Sequence, residues 1–283
     1  MRWVVRGLLG LVAIVVVALA VVYGGSEWVL RKAHAVPNES IAVPTDAASI
    51  AEGARMARIA NCRDCHGRDG EGKVLFEAPG LGRIAPPSLA RVAATHSNED
   101  LVRAIRYGVH KDGSSLMIMP TFALGHLSDQ DLGRIIAWIR TLKPGPKDST
   151  ATMYYGPIGR ALIVAGKFPT MATGGKVAAT ARPADMGRYV ADFACTACHK
   201  LHVEGLMEDG ATRVPALAPM VAAYDPAKLK KLLRTGVGSK PDHGIMSVVA
   251  RESFAVLTDQ EIDAIQAYLK GEMDREMDRA SAQ

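Results

Sequence analysis

The hydrophobic pattern changes character once, near residue 25. Arg2 and Arg6 give way to an uncharged apolar run from Gly7 to Gly24. Its 18 residues just suffice for a membrane-spanning helix. Trp3 on one side, and Tyr23 and Trp28 on the other, supply the aromatics of a membrane interface. Residues 1–24 have two readings. One is a retained anchor; the other is an export signal cleaved after Ala18-Leu19-Ala20. The apolar run continues past that tripeptide, which favours the anchor. In both readings the N-terminal arginines stay inside and the remainder is exported. Residues 25–47, with Pro37, Pro44 and scattered polar side chains, have the composition of a tether.

From residue 48 onward the apolar positions follow the helical period. Ser49-Ile50-Ala51-Glu52 is a capping-box pattern, and the helix it predicts runs through Gly53, Met56 and Ile59 to Cys62. Ser97-Asn98-Glu99-Asp100 opens a second helix, with Leu101, Val102 and Ile105. Ser128-Asp129-Gln130-Asp131 opens a third, with Leu132, Ile135, Ile136 and Ile139. No segment alternates as a strand should. Farther along, Asp185 caps a helix through Tyr189, Val190 and Phe193 into Cys195. Asp225-Pro226 starts another with Leu229, Leu232 and Leu233. Thr258-Asp259-Gln260-Glu261 opens a last one with Ile262, Ile265, Tyr268 and Leu269.

The second set of helices repeats the first. Leu101, Arg106, Gly108 and Val109 match Leu229, Arg234, Gly236 and Val237 at the same offsets, and Pro87-Ser88-Leu89 answers Pro215-Ala216-Leu217. The chain is a tandem duplication. It divides into an anchor (1–24), a tether (25–47), a first domain (48–143), a linker (144–183), a second domain (184–271) and a polar tail (272–283). The linker holds a short apolar patch, 158–165, that fits a helix wedged between the domains or against a partner subunit.

Composition adds a boundary condition. With 283 residues, 48% hydrophobic and 22% charged, the chain has enough apolar material for two ordinary domains and is neither disordered nor wholly membranous.

The chemistry lies in the four cysteines. Cys62-Arg63-Asp64-Cys65-His66 recurs as Cys195-Thr196-Ala197-Cys198-His199. Two cysteines three positions apart with a histidine directly after them are the attachment signature of c-type haem. One helical turn sets the thiols to meet the two vinyl groups, and the histidine that follows supplies the proximal imidazole. Every cysteine in the chain is used, so none remains for a disulfide or a second metal site. A zinc finger would need its two pairs close together, and a thioredoxin-like pair would need a βαβ context. The expected cofactors are two haem c groups with iron. Their four propionates, fully ionised, bring the formal charge of +5 to about +1, which removes the case for a nucleic-acid partner.

Each half resembles a class I cytochrome c domain, over about residues 49–143 and 184–271, and the whole resembles the membrane-anchored diheme cytochromes c. The fold so implied is all-α: two tandem class I cytochrome c domains preceded by one N-terminal transmembrane helix. The resemblance implies that a glycine on each first helix, Gly53 or Gly187, lets the last helix cross closely, near Trp138 or Tyr268. It implies that the carbonyls of Pro87 and Pro215 accept hydrogen bonds from His66 and His199. It also implies a sixth ligand before the last helix, Met119 in Met119-Pro120 and Met246 at the matching place, so that iron is held by His66 and Met119, and by His199 and Met246. Met117 and His243 are the neighbouring alternatives. Arg106 and Arg234 read either as partners of haem propionates or as exposed helix arginines.

Two filled axial positions leave no room for substrate, and no nucleophile–base pair or nucleotide loop stands out. The expected function is therefore electron transport rather than enzymatic catalysis. Single electrons would pass between a respiratory or dehydrogenase donor and an acceptor such as a terminal oxidase, at the periplasmic face of the cytoplasmic membrane. The redox partners implied by the resemblance are dehydrogenase or terminal-oxidase subunits; the anchor and two domains also resemble the diheme subunit of cbb-type oxidases. The competing reading is a diheme enzyme, peroxidase-like or thiosulfate-oxidising, with one open haem site.

Overall fold

The computed structural model describes residues 2–174, 181–207 and 212–281. Part of the 144–183 linker and the last two tail residues lie outside these. Helix α1 (Arg2–Arg31) stands apart from the rest for most of its length, its apolar side chains exposed. Helices α2 (Ala47–Ile59), α3 (Cys62–His66), α4 (Leu89–Thr95), α5 (Asn98–Tyr107), α6 (Thr121–Leu124) and α7 (Asp129–Thr141) form the first half. Helix α8 (Pro157–Val164) lies in the linker. Helices α9 (Met186–Val190), α10 (Leu217–Ala222), α11 (Pro226–Thr235), α12 (Ile245–Glu252) and α13 (Asp259–Ser281) form the second.

Most helix starts follow the expected caps. Ser97 accepts from the Asp100 amide while Asp100 bonds back to the Ser97 amide, and Thr258 and Glu261 do the same. Asp185 and Asp225 accept from the amides three residues on. The first helix differs from expectation. It begins at Ala47, and its cap is Asp46, whose carboxylate accepts from Ser49 N–H at 2.9 Å. An aspartate outcompetes the serine three positions later because its charge also meets the helix dipole.

Short strands are present, contrary to the sequence reading. In the first half β1 (Phe76–Ala78) pairs with β2 (Gly82–Ile84), which pairs with β3 (Tyr154–Tyr155). In the second, β4 (Gly205–Leu206) pairs with β5 (Arg213–Val214). At two or three residues each, they are too short to show an alternating pattern. Both hairpins sit between the haem-attachment motif and the Pro-x-Leu segment, so the duplication extends to them.

Each half is built on a crossing of its first and last helices. A Cβ on Gly53 would collide with the Arg134 carbonyl, and one on Gly187 with the Ala264 carbonyl. These carbonyls are repeat-equivalent, four residues before Trp138 and Tyr268. Gly53 lies nine residues before its cysteine and Gly187 eight. The backbone absorbs the difference: Asn61, in the left-handed region at φ 58°, separates α2 from α3, whereas in the second half α9 runs on through a wide π turn, Ala191–Cys195.

One hydrophobic core runs through both halves, from Met56, Ile59, Leu132 and Ile136 to Phe193, Leu233, Ile262 and Leu269. The tether is part of the packing rather than a free strap. Ile41 and Val43 lie on the core, the Ala42 carbonyl fills the space a Cβ at Gly133 would take, and Arg103 donates to Asn38. The tail continues α13, with Met273 on the core and Glu272 and Glu276 held by His202.

Candidate functional site

The two attachment motifs fold alike. In the first half α3 is the single turn Cys62–His66. In the second, His199 N–H donates to the Cys195 carbonyl at 3.0 Å, which closes the same turn. Cysteines three apart on one turn project from one face. Burial pushes the thiols of Cys62 and Cys195 up to about 12, so neither is a thiolate at neutral pH and neither resembles an activated nucleophile.

The histidines are oriented identically. His66 Nδ1 lies 2.8 Å from the Pro87 carbonyl, and His199 Nδ1 lies 2.8 Å from that of Pro215. A carbonyl only accepts, so Nδ1 carries the proton and Nε2 presents its lone pair. Burial lowers the pKa of both imidazoles, against the carbonyl bond, which keeps them neutral. The first carbonyl is held by a close approach of chain. Gly72, at φ +75°, passes so near that a Cβ there would sit 2.6 Å from Ser88 N, and Gly72 N–H donates to His66 O at 2.6 Å.

Met119 lies in the turn before α6, partly buried against the core, and its carbonyl accepts from Thr121 N–H at 2.8 Å. Met117 is 6% exposed. Met246 is also partly buried against the core, but on the first turn of α12, a helix the sequence analysis did not identify. His243 Nε2 accepts from Lys240 N–H at 3.3 Å, and its own amide donates to Ser247 Oγ at 2.8 Å. That gives His243 a structural task in the loop.

Each attachment motif therefore fits haem c, with two thiols on one turn and a neutral imidazole with Nε2 presented, and each half also carries a half-buried thioether before its last helix. Among the described residues no group of three or more His, Cys, Asp or Glu side chains gathers to hold a metal ion in another way.

Arg106 is not an exposed helix arginine. It is fully buried, with Glu39 of the tether at 2.7 Å, Asp129 at 2.6 Å and the Leu127 carbonyl at 3.1 Å. Its equivalent, Arg234, repeats one of these contacts, with Asp259 at 2.6 Å, and is 40% exposed.

The sequence reading missed what joins the halves. Arg55, two residues after Gly53, reaches Glu261 at 2.9 Å. Tyr189, two residues after Gly187, donates to Asp131 at 2.6 Å. Asp131 and Glu261 are repeat-equivalent carboxylates on the first turns of α7 and α13. The junction thus has pseudo-two-fold symmetry: each first helix contacts the other half's last helix. Burial alone would raise both carboxyls. The Tyr189 hydroxyl and Arg182 outweigh it at Asp131, as Arg55 does at Glu261, and both are held below the usual carboxylate range. The signal lay in the repeat register, where two polar residues stand beside the crossing glycines.

The same junction brings the two candidate sites together. Ser253 Oγ donates to Asp64 Oδ2, inside the first motif, at 2.9 Å, and Arg58 donates to the carbonyls of Arg251 and Glu252. A crevice of about 580 Å³ lies there, between Arg58, Arg63, Arg68 and Lys73 on one side and Ile245, Val248 and Val249 of α12 on the other. Reciprocally, α6, just after Met119, packs against the π turn that leads into Cys195.

Both halves are similar to known families. Residues 48–139 match the family model described as cytochrome c oxidase, cbb3-type, subunit III, and residues 184–271 match that of cytochrome c. A fructose dehydrogenase cytochrome subunit from Gluconobacter japonicus is 28% identical over 273 residues, covering 84% of this chain. The chain spans 55% of that relative's length.

Proposed function

We propose, for a chain that carries two cytochrome c domains and hence two haem c groups, that it is a membrane-anchored electron-transfer protein. In this reading Cys62, Cys65, Cys195 and Cys198 hold the two haems by thioethers. His66 with Met119, and His199 with Met246, would ligate the two irons. Each bound haem supplies a reversible one-electron change at iron, with a potential tuned by its ligands and its burial.

The chain's own residues do the rest. The Pro87 and Pro215 carbonyls fix one imidazole tautomer and raise its basicity as a ligand. Met119 and Met246, as ligands, would leave each iron no site for small molecules. The Arg55–Glu261 and Tyr189–Asp131 contacts hold the two sites at one fixed separation, so that electrons cross within the molecule. Helix α1 keeps this unit at the periplasmic face of the cytoplasmic membrane. There the donor is a dehydrogenase and the acceptor a component of the respiratory chain such as a terminal oxidase; the likeness to a dehydrogenase cytochrome subunit and to an oxidase subunit supports that choice.

The observation that carries this reading is the repeated histidine geometry, with each Nδ1 2.8 Å from a proline carbonyl. It prepares the same proximal ligand twice, as two haems held in the same way require. A reductive titration of the membrane-bound holoprotein tests it. Two one-electron haem steps, each reversible, are expected. A haem that turns over peroxide or thiosulfate instead would refute it.

A further inference from the structure

We propose that helix α8 and the edge of the first domain beside it lie on the lipid bilayer, as a second membrane contact next to α1. This rests on the reading of α1 as a membrane anchor.

The depth follows from helix geometry. At 1.5 Å per residue, a hydrocarbon core of about 30 Å takes about 20 residues, so a helix entering near Val4 leaves near Tyr23. Helix α8 packs against α1 just beyond that level. Arg160 reaches Glu27 at 2.8 Å and Ser26 at 2.9 Å, and lies 5.0 Å from the centre of the Tyr23 ring. Gly25 permits the approach, since a Cβ there would be 3.2 Å from Val164. The domain is therefore held with α8 at the interface.

The side chains of α8 divide accordingly. Gly159 and Ile163 face the protein, and Gly159 sits against the Leu81 carbonyl. Arg160, the helix's one charged residue, faces α1. What remains outward is Ile158 (54% exposed) and Leu162 (37%), one turn apart, with Val164 (39%) beside α1. A helix on a water-facing surface carries polar residues on its outer face. This one has none there. The sheet beneath adds Phe76, nearly half exposed, while Tyr154 lies on the other face of the sheet with Glu77 and Arg83. The patch is continuous with the exposed side chains of α1, whose covering is lipid; the same covering extends over α8. Neither role expected for this segment from sequence, a wedge between the domains or a contact with a partner subunit, is needed.

Photo-crosslinking of the full holoprotein in its native membrane tests this. A benzophenone amino acid is placed at Leu162, at Val12 inside α1, and at Val203 on the second half, and each adduct is identified by mass spectrometry. The expected result is a phospholipid adduct at 12 and at 162 and none at 203. A polypeptide adduct at 162, or no lipid adduct there while 12 gives one, overturns the inference and leaves the anchor intact. No lipid adduct at 12 refutes the anchor itself, and the proposal for α8 falls with it.

Discussion

Asp131→Asn is a sharp test of how the halves are joined. The carboxylate is fully buried and takes Tyr189 Oη at 2.6 Å, Arg182 Nη2 at 2.7 Å, Arg182 Nε at 3.0 Å and Ser128 Oγ at 3.1 Å. The amide keeps the volume and removes the charge. A hydrogen bond to a charged group contributes roughly 1.5–3 kcal/mol. The Arg182 pair is 32% exposed on the arginine side, so its share is nearer the ~1 kcal/mol of a surface pair. The sum is a loss of about 2–4 kcal/mol, or a fall of about 5–10 °C in Tm for a chain of this size. The assay is thermal unfolding of the detergent-solubilised holoprotein, followed by far-ultraviolet circular dichroism and by haem absorption. Tyr189→Phe alone should cost about 1–2 kcal/mol. Because the two residues share one bond, the double variant should fall short of additivity by about 1 kcal/mol. A loss below about 0.5 kcal/mol for Asp131→Asn, or strict additivity, would refute the contact as a joint between the halves.

Four further outcomes follow. Asp131 and Glu261 have lowered native pKa values, so their stabilisation is present above the unfolded carboxylate range near 4 and is lost as pH falls through the native values; Tm should be flat from about pH 5 to 8 and drop in acid, with a shallower acid limb in the Asp131→Asn/Glu261→Gln variant. Arg106→Met removes a buried guanidinium whose partners Glu39 and Asp129 remain partly solvated and should cost about 1–3 kcal/mol, whereas Arg234→Met at the half-exposed equivalent should cost under about 1 kcal/mol, both read by denaturant titration. Gly187→Ala drives a methyl into the Ala264 carbonyl and should lose at least about 1–3 kcal/mol, and Gly53→Ala the same. Met119→Ala should admit carbon monoxide to one reduced haem and lower its potential, while Met117→Ala should leave both haems closed and lose only packing, about 2–5 kcal/mol.

The repeated motif, the capped helices and the crossing glycines were legible because each is local: a fixed spacing, a side chain three residues from an amide, a missing Cβ. The proline carbonyls were legible only through resemblance, since a backbone acceptor 21 residues from His66 leaves no mark in the side-chain pattern. The burial of Arg106 was not legible because its partner Glu39 is 67 residues away, in a segment whose composition reads as tether. The hairpins were hidden by length. Helix α12 was hidden because its apolar residues Ile245, Val248 and Val249 belong to the junction between halves, which no single repeat displays. The linker patch was visible as apolar, but its neighbour, the exit of α1, lies more than 130 residues back.

The central claim is that both irons are closed by methionine. The most direct measurement is the absorption spectrum of the purified oxidised holoprotein at the red edge of the visible, where methionine bound to ferric haem absorbs weakly, followed by carbon monoxide added to the reduced form. The account predicts a band accounting for both haems and no carbon monoxide complex. Half the band, with one haem binding carbon monoxide, would contradict it and make that domain an open catalytic site.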